Sequence, residues 1–158
     1  MKKILKLFSI IALLSLMLTA CEIEGTNVDA IGGYDGKAEF VAYTDSELTE
    51  IHSGKCVVGT TYYVAIEVEI EKIAGVAVDK IGAELEIEFS KAENVNVALG
   101  TGSTMTATTG SDVITYSCNV YSAGSMTFVF EVSATKAEAF DIKVLVDDKL
   151  IGSKIMDF

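Results

Sequence analysis

The chain has 158 residues, a formal net charge of −11, and no arginine, tryptophan or proline. That length suits one domain. The acidity opposes binding to nucleic acid or anionic lipid, both of which rely on basic patches, and without arginine there is no bidentate fork for phosphates or carboxylates.

The first 21 residues follow one pattern. Lys2, Lys3 and Lys6 form a positive n-region, and Leu7 to Leu18 is an apolar core broken only by Ser9 and Ser15. Such a core is too short to span a bilayer, which needs about 20 residues. It ends in Leu18-Thr19-Ala20-Cys21, small residues ahead of a cysteine where a secretory peptide is cut. The stretch resembles the lipobox of bacterial lipoproteins. An ordinary secretion signal is the alternative, but it has no need of a cysteine at this place. The resemblance implies a signal peptide over residues 1–20 and diacylglycerol, with chains such as palmitate, on the Cys21 thiol. Cleavage before Cys21 then anchors the domain outside the cytoplasm, with the membrane as its first partner. Losing three lysines leaves 9 of 12 cations against all 23 acids, a net charge of −14 on the mature chain.

Residues 21–37 read as the lipidated N-terminus and a flexible tether. Glu22 to Lys37 is rich in Gly, Asp and Asn and has no sustained periodicity. As a coil it would reach about 20 to 24 Å, holding the domain just above the membrane.

Residues 38–158 alternate apolar and polar positions, the pattern of half-buried strands. Val64, Ile66, Val68 and Ile70 oppose Ala65, Glu67, Glu69 and Glu71, and Ala83, Leu85, Ile87 and Phe89 oppose Glu84, Glu86 and Glu88. Met126, Phe128, Phe130 and Val132 make a third apolar row, and Phe140, Ile142, Val144 and Val146 a fourth. Shorter strands are expected at Ala38 to Tyr43, Val95 to Leu99, Val113 to Val120 and Leu150 to Met156. Ser133 to Ala139 is too short for more than two helical turns and reads as a connection; Glu47 to His52 has room for one turn. Gly100 to Ser111, rich in Thr, Ser and Gly, reads as an exposed loop or edge hairpin.

Strands with one apolar face each, and no helix to cover them, must cover each other. The expected fold is therefore all-β: a two-sheet antiparallel sandwich, immunoglobulin-like, of seven to nine strands. A closed barrel is the alternative; long connections around Lys72 to Ile81 and Gly100 to Ser111 suit Greek-key crossings better.

Two resemblances accompany this reading. FDIKVLVDDKLIGSKI resembles the last two strands of bacterial immunoglobulin-like surface modules, which implies a hairpin turning at Asp147-Asp148. VVGTTYYVAIEVEI, GAELEIEFSKAENVNV and GSMTFVFEVSA are similar in order to the strands of cohesin-like and related carbohydrate-associated sandwiches. Many cohesins carry an Asp-Pro pair after the second of these strands, where this chain has Ser90-Lys91.

Catalytic constellations are scarce. His52 is the only histidine, in a polar turn region with no nucleophile placed for it. Zinc calls for about four Cys or His ligands in paired spacing, and after lipidation only His52, Cys56 and Cys118 remain. Gly32-Gly33-Tyr34-Asp35-Gly36-Lys37 fails as a phosphate loop: Ile31 stands at the first glycine position and Ala38 replaces the Ser or Thr. No catalytic, metal or cofactor residue is assigned.

Outside the cytoplasm Cys56 and Cys118 are candidates for a disulfide, and their separation is similar to that of the intersheet bond of immunoglobulin domains. Two buried free thiols are the other reading. The rows Glu67, Glu69, Glu71 and Glu84, Glu86, Glu88 would repel if their strands were neighbours. They read as solvated faces, in different sheets or interleaved with a strand around Lys143; a cation-binding face is the alternative. Of the adjacent pair Tyr62 and Tyr63 one must face the core, and with Tyr116 and Tyr121 these are the rings a sugar could stack on.

The expected function is that of a membrane-anchored extracytoplasmic lipoprotein, a non-enzymatic binding or structural module at the cell surface with a protein or glycan ligand. The alternative is an accessory domain of an envelope or polysaccharide-processing system.

Overall fold

The computed structural model describes residues 34–72 and 82–158, and among them finds ten strands and no helix. In chain order these are β1 (Tyr34–Tyr43), β2 (Ile51–His52), β3 (Thr61–Lys72), β4 (Ala83–Ser90), β5 (Val95–Leu99), β6 (Thr106–Thr109), β7 (Val113–Val120), β8 (Gly124–Ala134), β9 (Ala139–Val146) and β10 (Lys149–Asp157). They form two five-stranded antiparallel sheets, ordered β2-β1-β3-β8-β5 and β10-β9-β4-β7-β6.

All eight expected strands are present, and Val95–Leu99 and Val113–Val120 match their expected bounds. The two additional strands had no periodic signal. β2 is a two-residue pairing, Ala42 with His52 and Tyr43 with Ile51. β6 is TATT, exposed throughout, inside the segment read as a loop or edge hairpin. The segment from Glu47 makes no helical turn. The Asp45 carboxylate instead accepts the N–H groups of Thr49 and Glu50, closing a bend in which Leu48 has φ 56°. β1 begins at Tyr34, so the last four residues of the expected tether, Tyr34 to Lys37, belong to the sheet. The chain upstream, Cys21 included, lies outside the described residues.

The four apolar rows fill the space between the sheets: Ile66, Val68, Leu85, Ile87, Phe89, Phe130, Val132, Ile142 and Val144 have no exposed surface. Each such side chain contributes about 1.5–3 kcal/mol over its exposed state. Phe89 of β4 lies at the centre, its ring 4.8 Å from Phe130 of β8 and 5.8 Å from Tyr116 of β7. Tyr62 is the inward member of its pair, edge-on to Phe158 and hydrogen-bonded through its hydroxyl to the Val57 N–H.

Facing strands are identified by contacts across the core. Gly152 of β10 lies against Ala38 and Phe40 of β1, Phe130 of β8 against Phe89 of β4, and Val97 of β5 under Tyr116 of β7, whose hydroxyl donates to the Val97 carbonyl at 3.4 Å. The β9–β10 hairpin turns at Asp147 and Asp148, with φ of 47° and 64°. Positive φ at both central residues is the geometry that matches the twist of hairpin strands.

Candidate functional surface

Register divides the outer face of the first sheet into two halves. Near the start of β1 it is acidic. Asp35 is opposite Glu71, Lys37 opposite Glu69 and Glu39 opposite Glu67. Among these residues Lys37 bonds across the strands to Glu69. That bond raises the lysine pKa and holds the Glu69 carboxyl below its usual range. Facing acids at the other two positions oppose strand pairing. The second half is mostly apolar and aromatic, with Ile51, Tyr43 and Tyr63 in one cross-strand row that continues to Glu131, and Val41, Ala65 and Val129 in the next.

The second glutamate row is in the other sheet. β3 and β4 are not neighbours, the different-sheet arrangement that the solvated-face reading allowed, and Glu88 of β4 faces Lys143 of β9. Glu86 sits between Glu84 and Glu88 on that strand. Partial burial, then the charges of Glu84 and Glu88, push its pKa up. No group of three or more His, Cys, Asp or Glu among the described residues is arranged to hold a metal ion.

Cys56 and Cys118 do not meet. Both are free, Cys56 buried and Cys118 half-buried. The Cys56 N–H donates to Asp157 at the far end of β10, whereas Cys118 on β7 is level with Leu85 and Val146. Asp157 pairs with Ala139, so the path runs along β9 from Ala139 to Val146 and across from β10 to β7. At ~3.3 Å per residue and ~4.8 Å per strand the separation is roughly 25 Å. A disulfide needs Cα atoms about 4.4–6.8 Å apart. Sequence separation resembled an intersheet pair, but it could not reveal that Cys56 lies beyond the strands, at one end of the sandwich. Burial raises the pKa of both thiols.

His52 is paired with Ala42 and its ring lies 4.6 Å from that of Tyr62; its Nε2 is enclosed with no hydrogen-bond partner among the described residues. No described nucleophile bonds to it. The shallow depression bounded by Glu88, Ser90, Asp112, Val113, Asp141 and Lys143 has its serine hydroxyl engaged by the Asp141 N–H.

The two ends of the sandwich differ. Tyr34 pairs with Lys72, and Gly124 with Ile70, at the end where the chain enters. Of the five most exposed large apolar side chains among the described residues, Ile51, Val57, Val58 and Ile155 lie toward the opposite end, Ile51 and Ile155 on the outer faces of different sheets, and Tyr121 is near the entry end. Sequence reasoning missed this group because none of the four belongs to an alternating row long enough to stand out. No protein-family model matches the chain, and neither does any curated protein.

Proposed function

We propose that the chain is a lipid-anchored extracytoplasmic β-sandwich that works by binding rather than turnover, as a partner-binding or structural module of the cell surface. The observation that carries the reading is the polarity of the domain. The chain enters at one end, and Ile51, Val57, Val58 and Ile155 lie at the other. A tether from Cys21 to Tyr34 would turn the entry end toward the membrane and present the apolar end outward. Exposed apolar groups on an otherwise acidic surface are what a protein partner buries. The lipobox Leu18-Thr19-Ala20-Cys21 supports the anchor.

The experiment has two readouts on the full chain in producing cells. Intact mass of the membrane-extracted protein should begin at an acylated Cys21, and Cys21→Ser should remain uncut or leave the membrane. A photo-crosslinker at Val57 should form an adduct with an envelope or extracellular component, and one at Tyr121 should not. A soluble mature chain starting elsewhere overturns the anchor. Turnover of a glycan, peptide or ester by the purified chain overturns the non-enzymatic reading.

A second reading rests on Tyr43 and Tyr63, a cross-strand pair on the outer face with Glu131 opposite Tyr63. Two rings beside a carboxylate suit stacking and hydrogen bonding to a sugar. Glycan binding that disappears in Tyr63→Ala, with the crosslinks at Val57 unchanged, would favour it.

A further inference from the structure

The sheets are offset by one strand. β1 lies against β10, β8 against β4 and β5 against β7, which leaves β6 overhanging the edge of the first sheet. Ala107 and Thr109 of β6 pair with Tyr116 and Ile114, both of which face the core, so they too point inward. Both are nevertheless exposed, because no strand of the first sheet lies opposite them. Beside β5 and under β6 there is a ledge one strand wide.

The edge of β5 carries the matching backbone groups. Thr135 donates to the Asn94 carbonyl and Gly100 donates to Val129, so the backbone groups of even-numbered residues point to β8 and those of Val95, Val97 and Leu99 point to the open edge, while their side chains pack on the core. The Val95 N–H goes to Ala92, and the Val97 carbonyl accepts from Tyr116. The N–H groups of Val97 and Leu99 have no partner among the described residues. Edges are commonly protected by charge or by a bulge. β1, open where β2 does not reach beyond Ala42 and Tyr43, carries Asp35, Lys37 and Glu39, and β10 has a bulge between Leu150 and Gly152. β5 (VNVAL) has neither.

The geometry also decides what can dock there. An antiparallel β5–β5 pairing of two copies would keep both second sheets on the same side. It would drive the partner copy's β7 into the place that β6 already holds. A lone strand meets no such obstacle. Residues of that strand turned toward the core would rest on Ala107 and Thr109. Those turned outward would lie beside Ala98, a small residue whose cross-strand neighbour on β8 is Glu131. A lysine there can extend over Ala98 to the carboxylate.

We propose that the β5 edge under the β6 ledge is a strand-addition site for a single extended segment of a partner protein, apolar on its inward positions and basic on its outward ones. Backbone bonds would supply affinity and the alternating side chains specificity. The proposal rests on the binding-module reading and names the class of partner; it does not depend on the lipid anchor or on the Val57 end.

The probe is a capped synthetic peptide alternating valine with lysine, added to the full chain in mild detergent. Hydrogen exchange over Val95–Leu99 should slow by at least about tenfold at saturation, with the β1 and β10 edges unchanged. Ala107→Trp fills the ledge on an exposed residue and should abolish binding while leaving the melting temperature in place. Val97→Pro removes one outward N–H at an edge position where proline is tolerated, and should do the same. Glu131→Gln should weaken the lysine peptide about two- to fivefold and leave a valine–threonine peptide unaffected. Unchanged exchange at β5 under saturating peptide, protection at another edge instead, or binding that survives Ala107→Trp would overturn the proposal. So would self-association of the chain through β5. Crosslinking at Val57 and the mass of the N-terminus are read separately, so failure here is distinguishable from failure of the binding-module reading itself.

Discussion

Asp147 and Glu84 hold each other by two hydrogen bonds. The Asp147 N–H donates to the Glu84 carbonyl at 2.9 Å, and the Glu84 N–H donates to Asp147 Oδ1 at 2.9 Å. This clasp joins the β9–β10 turn to the first residues of β4, a strand far away in sequence. Asp147 is also the turn residue with φ 47°, a conformation that aspartate tolerates better than alanine. Asp147→Ala should therefore cost about 1–3 kcal/mol, the lost bond and the backbone strain together. Asp147→Gly relieves the strain but not the bond, and should fall between alanine and wild type. Urea unfolding with an unchanged m-value checks both.

A second stability prediction concerns the place where β1 and β10 cross. A Cβ on Gly152 would lie 2.8 Å from the Ala38 Cβ and 3.0 Å from its carbonyl oxygen, with no flexible side chain to yield. Gly152→Ala should destabilise by about 1–3 kcal/mol through overpacking, and Ala38→Gly in the same chain should restore part of it. On Gly36 the nearest atoms to an added Cβ all belong to the Ile151 side chain, the closest at 3.2 Å. Gly36→Ala should be nearer neutral, helped by about 0.4–1 kcal/mol from the less flexible unfolded chain. Equal losses at the two sites would contradict the close approach.

The fold was legible in this chain because burial writes a period of two. The rows through Ile66, Leu85, Phe130 and Ile142 each identified a strand and the face it buries. Asp147-Asp148 located a hairpin because few side chains accept positive φ at two successive positions. The functional surface was much less legible. Whether Glu67 repels Glu86 depends on which strands are neighbours, and like-charge facing arises instead between Glu39 and Glu67, which no local pattern brings together. β6 carried no signal because TATT offers only the small Ala107 on its inward face and both of its faces are wet. Ile51, Val57, Val58 and Ile155 come from three separate segments, so only the folded chain brings them to one end.

Thiol chemistry follows from the same geometry. Purified chain denatured and alkylated should show both Cys56 and Cys118 free, and in the native state both should react slowly, since burial raises their pKa and limits access. Cys56→Ala together with Cys118→Ala should keep the fold and lose only packing. A cross-link closing a loop of this size would add about 4 kcal/mol in the chain-entropy model, so a loss of that order under oxidising conditions would show that the cysteines do join.

Acid should weaken the fold through two loop carboxylates and briefly spare it through a third on a strand. Asp45 accepts the Glu50 N–H at 2.7 Å, and Glu138 accepts the Asn94 N–H at 2.9 Å and its side-chain amide at 3.1 Å. Those bonds hold both carboxyls below their ordinary values. A group depressed in the folded state stabilises above its unfolded pKa, about 4 for carboxylates, and the gain is lost as pH falls through the folded value. Glu86 has the opposite sign. Its folded pKa is raised by burial and by Glu84, Glu88 and Asp148, so its ionised form costs stability at neutral pH and protonation relieves that cost first. On acidification from pH 7, stability should hold or rise slightly and then fall below about pH 4. Asp45→Asn and Glu138→Gln should lower stability at pH 7 and flatten the acid limb. Glu86→Gln should leave stability at pH 7 equal or slightly higher and remove the plateau. Melting temperatures across pH 3 to 7 test it, and a Glu86→Gln chain clearly less stable than wild type at pH 7 would mean that this carboxylate has a favourable partner.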